Sequence, residues 1–248
     1  MSRVEEPSEV RTENSFSEET HWEKAAKTRM GKYLTRMETD FIFKAITPSQ
    51  ACTIMDVGTE AGRFSSLASE KNATVIGIDI DSYGLKRLKL KAKDIDVIQA
   101  DARKIPVKDN VFDAVFMIEV LDYISNLDEA LAEGYRTLKS DAPLILSFGN
   151  KRSLKSQLRK LHGKSYRHSY DKVMLALSNT GFSVVKKMGY SWLPFGRTSE
   201  SRLIPFMAML EKLFALRRVP SLSPWVIVHS VKSEALNDAS SLNLESNK

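Results

Sequence analysis

Residues 53–64 constrain the fold of this 248-residue chain more than any other stretch. They begin as a short apolar strand, turn at Gly58 and run into a helical pattern near Phe64. A strand, a glycine turn and a helix N-terminus form a cofactor-binding corner in doubly wound α/β folds. Gly58 permits a backbone conformation that a side chain disfavours, and Gly62 lets the strand and the helix approach closely. The stretch therefore predicts an α/β fold with a ligand site at this turn.

An acidic residue follows at the spacing expected of a ribose ligand. Asp79 ends the second apolar strand, about twenty residues after the turn. The turn departs from the dinucleotide pattern G-x-G-x-x-G, because only Gly58 and Gly62 are present and Glu60 lies between them. A carboxylate beside a helix N-terminus would repel a bound pyrophosphate. S-adenosylmethionine has no phosphate and carries a sulfonium and an ammonium, so the pattern favours this molecule over NAD.

Four motifs follow one another along the chain. Residues 56–62 read D-V-G-T-E-A-G; Asp79, the pair 101–102 and the run 112–121 come after them. In this order they resemble the motifs of class I S-adenosylmethionine-dependent methyltransferases, and most of all the type 11 branch that acts on small molecules. The resemblance extends over residues 53–149.

The chain departs from this family at two positions. Glu60 replaces the middle glycine of the opening motif, which alters the contacts expected with the cofactor. Tyr123 stands where many relatives carry histidine, so the resemblance implies no histidine-based catalysis at that position.

The resemblance implies a fold, a cofactor and a set of binding residues. The fold is a doubly wound, Rossmann-like sheet of seven mostly parallel strands, which an antiparallel hairpin closes. The cofactor is S-adenosyl-L-methionine. The residues that match the family's cofactor-binding positions are Asp56, Gly58, Thr59, Glu60, Gly62, Asp79, Ile80, Asp101, Ala102, Glu119 and Val120.

Each acidic residue of this set has a functional and a structural interpretation. Asp79 either binds the ribose hydroxyls, a charge-assisted contact of the stronger kind, or caps a turn. Asp101 matches the position that receives the adenine amino group, or is a simple turn aspartate. Glu119 lies where the methionyl part would bind, and an acid between apolar residues is hard to explain as core. Asp56 and Asp113 are interpreted as structural residues that hold loop amides.

No side chain is a clear catalytic base. Methyl transfer to a good nucleophile needs mainly alignment, whereas an oxygen acceptor benefits from a base. Tyr123, Tyr166 and His168 are the candidates, each with an alternative role in binding or packing. The sequence shows neither a His/Cys cluster with zinc spacing nor a Ser-His-Asp arrangement, so no metal is predicted. Cys52 is the single cysteine, which excludes an internal disulfide and fits a reducing compartment.

Strands and helices alternate along the central part of the chain. This alternation predicts a parallel sheet with helices on both faces, in which ligands bind beyond the carboxyl ends of the strands. The predicted strands are 53–57, 73–80, 96–100, 112–118, 144–148, 182–188 and 225–231. The predicted helices between them are 60–71, 83–93, 127–138 and 170–180.

The remaining segments define the predicted domain organisation. Residues 1–20 are acidic and residues 233–248 polar, and both are expected to be disordered around a single domain of residues 21–232. A helical pattern runs from His21 to Ile46 and is either a lid over the cofactor or a packing helix. Residues 189–224 form an insertion, expected on the acceptor side, with an amphipathic helix around 202–216.

Positive charge is concentrated in one arm. The chain carries a formal charge of +6, and residues 151–170 contain seven cations and no acid, which leaves about −1 for the remainder. This arm and the amphipathic segment 203–216 are expected near the acceptor end of the pocket. Together they favour an anionic, partly apolar acceptor, such as a glycan or isoprenoid at a membrane surface. The alternative is a solvated basic helix beside an ordinary packing helix.

Two classes of function remain open. The first is a cytoplasmic methyltransferase, in peripheral contact with an anionic membrane, that modifies a small-molecule, glycan or lipid-linked acceptor. The second is a binding module that keeps the cofactor pocket without turnover. The basic arm also suggests an RNA methyltransferase, although the chain lacks an Asn-Pro-Pro-Tyr-type tetrad and a cysteine pair. The oligomeric state stays open.

Overall fold

The computed structural model describes residues 18–49, 51–160 and 167–233. The predictions of disorder for most of residues 1–20 and for nearly all of the tail 233–248 fall outside these ranges. So does the candidate base Tyr166.

One seven-stranded sheet forms the centre of the molecule, in the order β3-β2-β1-β4-β5-β7-β6. Strands β1 to β5 pair in parallel, and β7 runs antiparallel to both β5 and β6. The predicted doubly wound fold with an antiparallel closing hairpin is therefore confirmed. The strands are β1 Thr53–Val57, β2 Thr74–Asp79, β3 Asp96–Gln99, β4 Ala114–Met117, β5 Pro143–Gly149, β6 Phe182–Tyr190 and β7 Trp225–Lys232.

Helices cover both faces of this sheet. Their bounds are α1 His21–Lys27, α2 Arg29–Ala45, α3 Arg63–Ser69, α4 Ser82–Lys91, α5 Leu127–Thr137, α6 Leu154–Lys160, α7 Tyr170–Thr180 and α8 Ile204–Leu213. Two short 3-10 helices, Leu121–Tyr123 and Leu216–Arg218, complete the described elements. No helix in the described ranges is long and apolar enough to cross a bilayer.

The core consists of two apolar layers separated by the sheet. Alternate residues of a strand point to opposite faces, so Met55 and Ile54 of β1 enter different layers. One layer packs against α5 and α7, and the other against α2, α3, α4 and α8. All four residues of β4 are buried, as expected of a central parallel strand covered on both sides.

The turn between β1 and α3 has no room for side chains at its glycines. Gly58 and Gly62 have φ values of 75° and 80°, in the left-handed region. A Cβ on Gly58 would lie 2.4 Å from Cγ2 of Val120, and one on Gly62 would lie 2.2 Å from Cδ1 of Leu88. Because the turn occupies residues 58–62, α3 starts at Arg63 and not at residue 60 as the sequence predicted.

The N-terminal helical pattern is divided in two, so the prediction of one continuous helix from His21 to Ile46 is wrong. The break lies at Thr28, whose ψ of 163° is extended. The Thr28 hydroxyl accepts a hydrogen bond from the Gly31 amide at 3.1 Å and caps α2. Threonine competes with helix continuation through this kind of local bond.

Cations of the basic arm make polar contacts with the insertion and with α7. Nζ of Lys155 in α6 donates to the carbonyl oxygens of Leu193 at 2.9 Å and Phe195 at 3.1 Å. Arg152 pairs with Asp171. Two cations of the predicted arm therefore bind protein groups, Lys155 in a partly buried position and Arg152 at the surface.

The crowded glycine turn leads to a stability prediction. We expect Gly62→Ala to lower the free energy of unfolding by about 2–4 kcal/mol, because the added Cβ meets Leu88 in a left-handed backbone. Gly196→Ala is the matched control, since a Cβ there meets nothing within 4 Å. We expect the control to change stability by less than about 0.5 kcal/mol in urea unfolding. Equal losses in the two variants would contradict the packing argument.

Candidate functional site

A cleft of about 1400 Å³ opens at the carboxyl ends of β1, β2 and β4. This volume exceeds the range of about 300–1,000 Å³ for a single small-molecule site, so it offers space for two ligands. The sequence-predicted residues that line it are Asp56, Gly58, Thr59, Glu60, Asp79, Ile80, Asp101, Ala102, Glu119 and Val120. Gly62 is not among the lining residues, and its role is to let α3 approach α4.

Asp79 holds the two loops on either side of its strand. Its Oδ2 accepts from the Glu60 amide at 2.8 Å, and its Oδ1 accepts from the Asp81 amide at 2.9 Å. Asp79 therefore caps the turn that follows β2, and its binding of ribose hydroxyls stays a prediction. Each carboxylate oxygen has a second lone pair, so these bonds leave capacity for hydroxyl donors in the cleft.

Glu60 turns back onto its own loop. Its φ of 50° is left-handed, and its Oε2 accepts from the Ala61 amide at 2.7 Å. The negative charge therefore stays at the start of α3, on the wall of the cleft. A phosphate placed at this helix N-terminus would meet that charge directly.

Asp101 is already paired. Nε of Arg103 donates to Oδ1 at 3.0 Å, and Nη2 donates to Oδ2 at 2.6 Å. The hydrogen bonds from Arg103 lower the pKa of Asp101 to about 2. An adenine amino group that approached this carboxylate would share it with the arginine.

Two arginines hold Glu119 at the end of β4. The Glu119 backbone has a φ of 61°, and its amide donates to Oγ of Ser147 at 2.9 Å. Nη2 of Arg63 donates to Oε2 of Glu119 at 2.9 Å, and Arg197 pairs with Oε1. Arg63 also lies 3.4 Å from Oε2 of Glu38 on α2. These four charged residues form one largely buried network of two acids and two bases.

Aromatic residues enclose the network. The buried Tyr190 hydroxyl donates to Oε1 of Glu38 at 2.7 Å, and burial raises the pKa of this tyrosine, which keeps it a neutral donor. The Arg197 guanidinium lies 5.3 Å from the ring centroid of Trp22 and 5.8 Å from that of Trp225. Burial lowers the pKa of Arg197 to about 10, so it remains charged at neutral pH.

Sequence reasoning missed these partners of Glu119. Arg63 follows the opening motif directly, and this adjacency was the one signal that pointed to it. Arg197 lies in the long insertion, with no spacing pattern to mark it. Residues 203–216 and the described part of the basic arm do not line the cleft, so the insertion reaches it through Arg197.

Helix α1 covers the cleft, and α2 packs into the core. Trp22 and Glu23 line the cleft, whereas Met30 of α2 is buried in the apolar layer. Oε1 of Glu23 accepts from Arg87 at 3.1 Å and from Lys91 at 2.9 Å, both on α4. Of the two interpretations of the N-terminal pattern, the lid therefore fits α1 and the packing helix fits α2.

Asp56 and Asp113 have structural roles at opposite ends of the sheet. Oδ2 of Asp56 accepts from the Ser65 hydroxyl at 2.6 Å, so this carboxylate holds the start of α3. Burial raises the pKa of Asp56 to about 6. Oδ2 of Asp113 accepts from the Thr53 amide at 2.9 Å, at the amino ends of β1 and β4.

The two described candidate bases lie in different environments. Tyr123 lines the cleft and is 69% exposed. His168 is buried outside the cleft, where its Nε2 donates to the Leu121 carbonyl at 3.0 Å and burial lowers its pKa. The Arg167 amide donates to Oδ1 of Asp122 at 3.0 Å. His168 and Arg167 therefore support the turn that carries Tyr123.

Comparisons with known proteins agree with this geometry. Residues 55–146 match a family model described as a methyltransferase domain. The chain is 29% identical over 126 residues to 24-methylenesterol C-methyltransferase 2 of Arabidopsis thaliana, and this match covers 48% of this chain and 35% of that protein. It is 29% identical over 113 residues to demethylmenaquinone methyltransferase of Renibacterium salmoninarum, which covers 46% and 48%. The matches thus span about half or less of these relatives.

Solved structures show the same fold. A SAM-dependent methyltransferase from Archaeoglobus fulgidus superposes with a TM-score of 0.59 and 18% sequence identity. The match covers 81% of this chain and 94% of that one. At this identity the likeness establishes the fold alone.

The contact between α1 and α4 leads to a pH prediction. Burial alone would raise the pKa of Glu23, but hydrogen bonds from Arg87, Lys91 and the Thr20 amide lower it to about 2. The stabilisation is therefore fully present above the unfolded pKa of about 4.5 and is lost as the pH falls towards 2. We expect Glu23→Gln to cost about 1.5–3 kcal/mol in urea unfolding at neutral pH.

The same unfolding series tests the sign of this effect. The gap between the wild type and Glu23→Gln should shrink as the pH falls below about 4. Glu19→Gln is the control, because Glu19 makes an exposed ion pair with Lys27, which is worth at most about 1 kcal/mol. A gap that stays constant with pH would show that Glu23 stabilises through packing rather than charge.

Proposed function

We propose that this chain, which carries a class I S-adenosylmethionine-dependent methyltransferase domain, transfers a methyl group from S-adenosylmethionine to an apolar or lipid-linked small molecule. We take residues 21–232 as that single domain. The observation that carries the proposal is Glu119, held between Arg63 and Arg197 in a cleft beside the glycine turn. At the amino-acid end of this cofactor, the acid is complementary to the ammonium group and the two bases are complementary to the carboxylate.

The buried network fits such a ligand in a second respect. Oε1 of Glu119 is buried and accepts no hydrogen bond, although it forms an ion pair with Arg197. Oε2 of Glu38 is in the same position beside Arg63. Buried carboxylate oxygens without hydrogen bonds are costly, and an ammonium group in the cleft would supply a donor to Glu119, the one of the two that lines it.

The charge of the cleft disfavours phosphate-bearing cofactors. Nine acidic and seven basic side chains line it, a formal balance of −2. Glu60 places one of these acids at the N-terminus of α3, where a pyrophosphate would bind in a dinucleotide site. This balance supports a cationic cofactor over NAD.

In this proposal, the bound cofactor supplies a methyl group on a positively charged sulfur. The chain's own residues align and enclose the reacting groups, and alignment provides much of the rate of such transfers. Asp79 accepts from hydroxyls at the ribose position, and Glu119 with its arginines holds the amino-acid end. Trp22 on α1 excludes water from above. Tyr123, at the exposed rim of the cleft, contacts the acceptor.

Two observations support an apolar acceptor. Large apolar side chains are exposed along the cleft: Trp22 at 40%, Ile80 at 68% and Tyr123 at 69%. Two of the relatives are named for a methylenesterol and for demethylmenaquinone. Aromatic and aliphatic walls of this kind favour such molecules over highly charged ones.

Three of the seven cations that suggested RNA as the alternative acceptor already have protein partners. Lys155 donates to main-chain carbonyls, Arg152 pairs with Asp171 and Arg167 bonds to Asp122. Cations that already bind protein groups contribute less to phosphate binding.

Calorimetry with purified protein tests the cofactor. We expect S-adenosylmethionine and S-adenosylhomocysteine to bind and NAD not to bind. Asp79→Ala should weaken binding by about 1.5–3 kcal/mol, because a charged hydrogen-bond acceptor is lost. Asp96→Ala, at the start of β3, removes an exposed acid outside the cleft and should leave affinity unchanged. Failure of both sulfur ligands to bind, or equal effects of the two substitutions, would refute the proposal.

A second binding experiment tests the contribution of the insertion. Arg197→Gln removes one of the two partners of Glu119, and we expect it to weaken S-adenosylmethionine binding at least about tenfold, since a buried acid loses its ion pair. Arg202→Gln, an exposed cation of the same insertion, is the control and should bind normally. Unchanged affinity of the Arg197 variant would show that Arg63 alone holds this end of the ligand.

The acceptor class is tested with a labelled methyl donor. The protein is incubated with donor and either a lipid extract or total RNA, and label is followed into each fraction. Label in lipid supports the proposal, and label in RNA supports the alternative. If the donor binds but no label enters the lipid, the RNA or small polar metabolites, the result would favour the non-catalytic module.

A further inference from the structure

The outward side of helix α8 is apolar. Its inward side carries Ile204 and Glu211, which are 3% and 1% exposed. On the opposite side Phe206, Met209 and Leu213 are 55%, 55% and 71% exposed, and their spacing of three and four residues aligns them. A surface helix of a globular protein normally presents polar residues to water. In α8 this arrangement is reversed.

The apolar surface continues beyond these three residues. Leu203 before α8 is 61% exposed, and Phe214 after it is 67% exposed. We call Leu203, Phe206, Met209, Leu213 and Phe214 the α8 face. Contiguous exposed apolar residues, unlike isolated ones, mark surfaces that bind a partner or a membrane.

The exposed charges of residues 201–222, which carry the α8 face, are positive, and the exposed Glu200 just before them pairs with Arg29 at 3.7 Å. Arg202, Lys212 and Arg218 are exposed beside the α8 face, and residues 201–222 contain four cations and one acid. That acid, Glu211, points inward, where it accepts from the Tyr33 hydroxyl at 3.0 Å and from Arg217 at 3.2 Å. Within this segment, therefore, no acidic side chain offsets the exposed cations.

We propose that the α8 face docks on the surface of an anionic lipid bilayer. Helices with an apolar face and cationic flanks lie in the interface of such bilayers, with the apolar side chains among the lipid chains. At 10 residues α8 is half the length needed to span the hydrocarbon core, so it lies on the membrane and does not cross it.

The flanking charge argues against a second copy of the chain as the occupant. A two-fold symmetric contact would place Arg202, Lys212 and Arg218 of one copy close to the same residues of the other. Like charges brought together at an interface oppose association. A surface of anionic headgroups complements the same three cations.

Helix α8 contacts α2 beside a residue that lines the cleft. The Tyr33–Glu211 hydrogen bond joins α8 to α2, and Lys32, the residue before Tyr33, lines the cleft. This arrangement suits an acceptor that resides in the bilayer. The docking itself does not depend on the proposed methyl transfer, and a protein without turnover would dock in the same way.

Vesicle sedimentation with the full chain tests this surface. The vesicles are phosphatidylcholine, with or without one third phosphatidylglycerol. We expect the wild type to sediment with the anionic vesicles at low salt and to be released as salt rises. The double substitution Phe206→Gln and Leu213→Gln should reduce the bound fraction at least about tenfold, because it removes two apolar side chains that docking would bury in the bilayer. Lys212→Glu with Arg218→Glu should abolish the preference for anionic vesicles.

Matched controls lie on α7, across the sheet. Leu175→Gln changes an apolar residue that is 63% exposed, and Lys172→Glu reverses an exposed cation. Both controls should bind like the wild type, and equal melting temperatures verify that every variant is folded.

Four results would overturn the proposal. The wild type could bind neither kind of vesicle, or it could bind neutral and anionic vesicles equally. The α8 variants could bind like the wild type, or the α7 controls could lose binding. Light scattering that shows a dimer dissolved by the Phe206/Leu213 substitutions would assign the face to a second copy.

Discussion

The absence of space for a side chain in the β1–α3 turn governs the rest of the site. Val120 fills the volume beside Gly58, and Leu88 fills the volume beside Gly62. The turn can therefore lie against the end of β4 on one side and against α4 on the other. This close approach brings the first residue of α3, Arg63, within 2.9 Å of Glu119. The geometry of the glycine turn thus determines which charged side chains meet in the cleft.

The buried charges also explain why segments at both ends of the domain converge on the cleft. Two acids and two bases in a partly dehydrated site balance one another, and removal of one member leaves an uncompensated charge. The family-like region 55–146 supplies Arg63 and Glu119, whereas Glu38 comes from α2 and Arg197 from the insertion. The amide of Met30 donates to the Ser199 carbonyl at 3.0 Å, which joins the two outer segments directly.

The described cations of the basic arm and the apolar residues of segment 203–216 do not form the joint surface that the sequence predicted beside the cleft. The basic arm directs Lys155 inward, where it binds the carbonyls of residues 193 and 195. The amphipathic segment directs its one acid, Glu211, inward and its large apolar residues outward. The cationic and apolar parts of the proposed membrane surface therefore both lie in the insertion, whose residues around α8 carry them.

The sequence alone determined the order of the strands, the position of the glycine turn, and ten of the residues that line the cleft. Those features depend on local periodicity and on motif spacing, which a single chain displays directly. Tertiary structure decided the break at Thr28, the pairing of Glu119 with Arg63 and Arg197, and the outward direction of the α8 face. These depend on contacts between residues far apart in the chain; the Thr28 hydroxyl, besides capping α2, donates to the Arg197 carbonyl at 2.9 Å. Periodicity shows that a helix has two unlike sides, but only packing against α2 determined which side of α8 meets water.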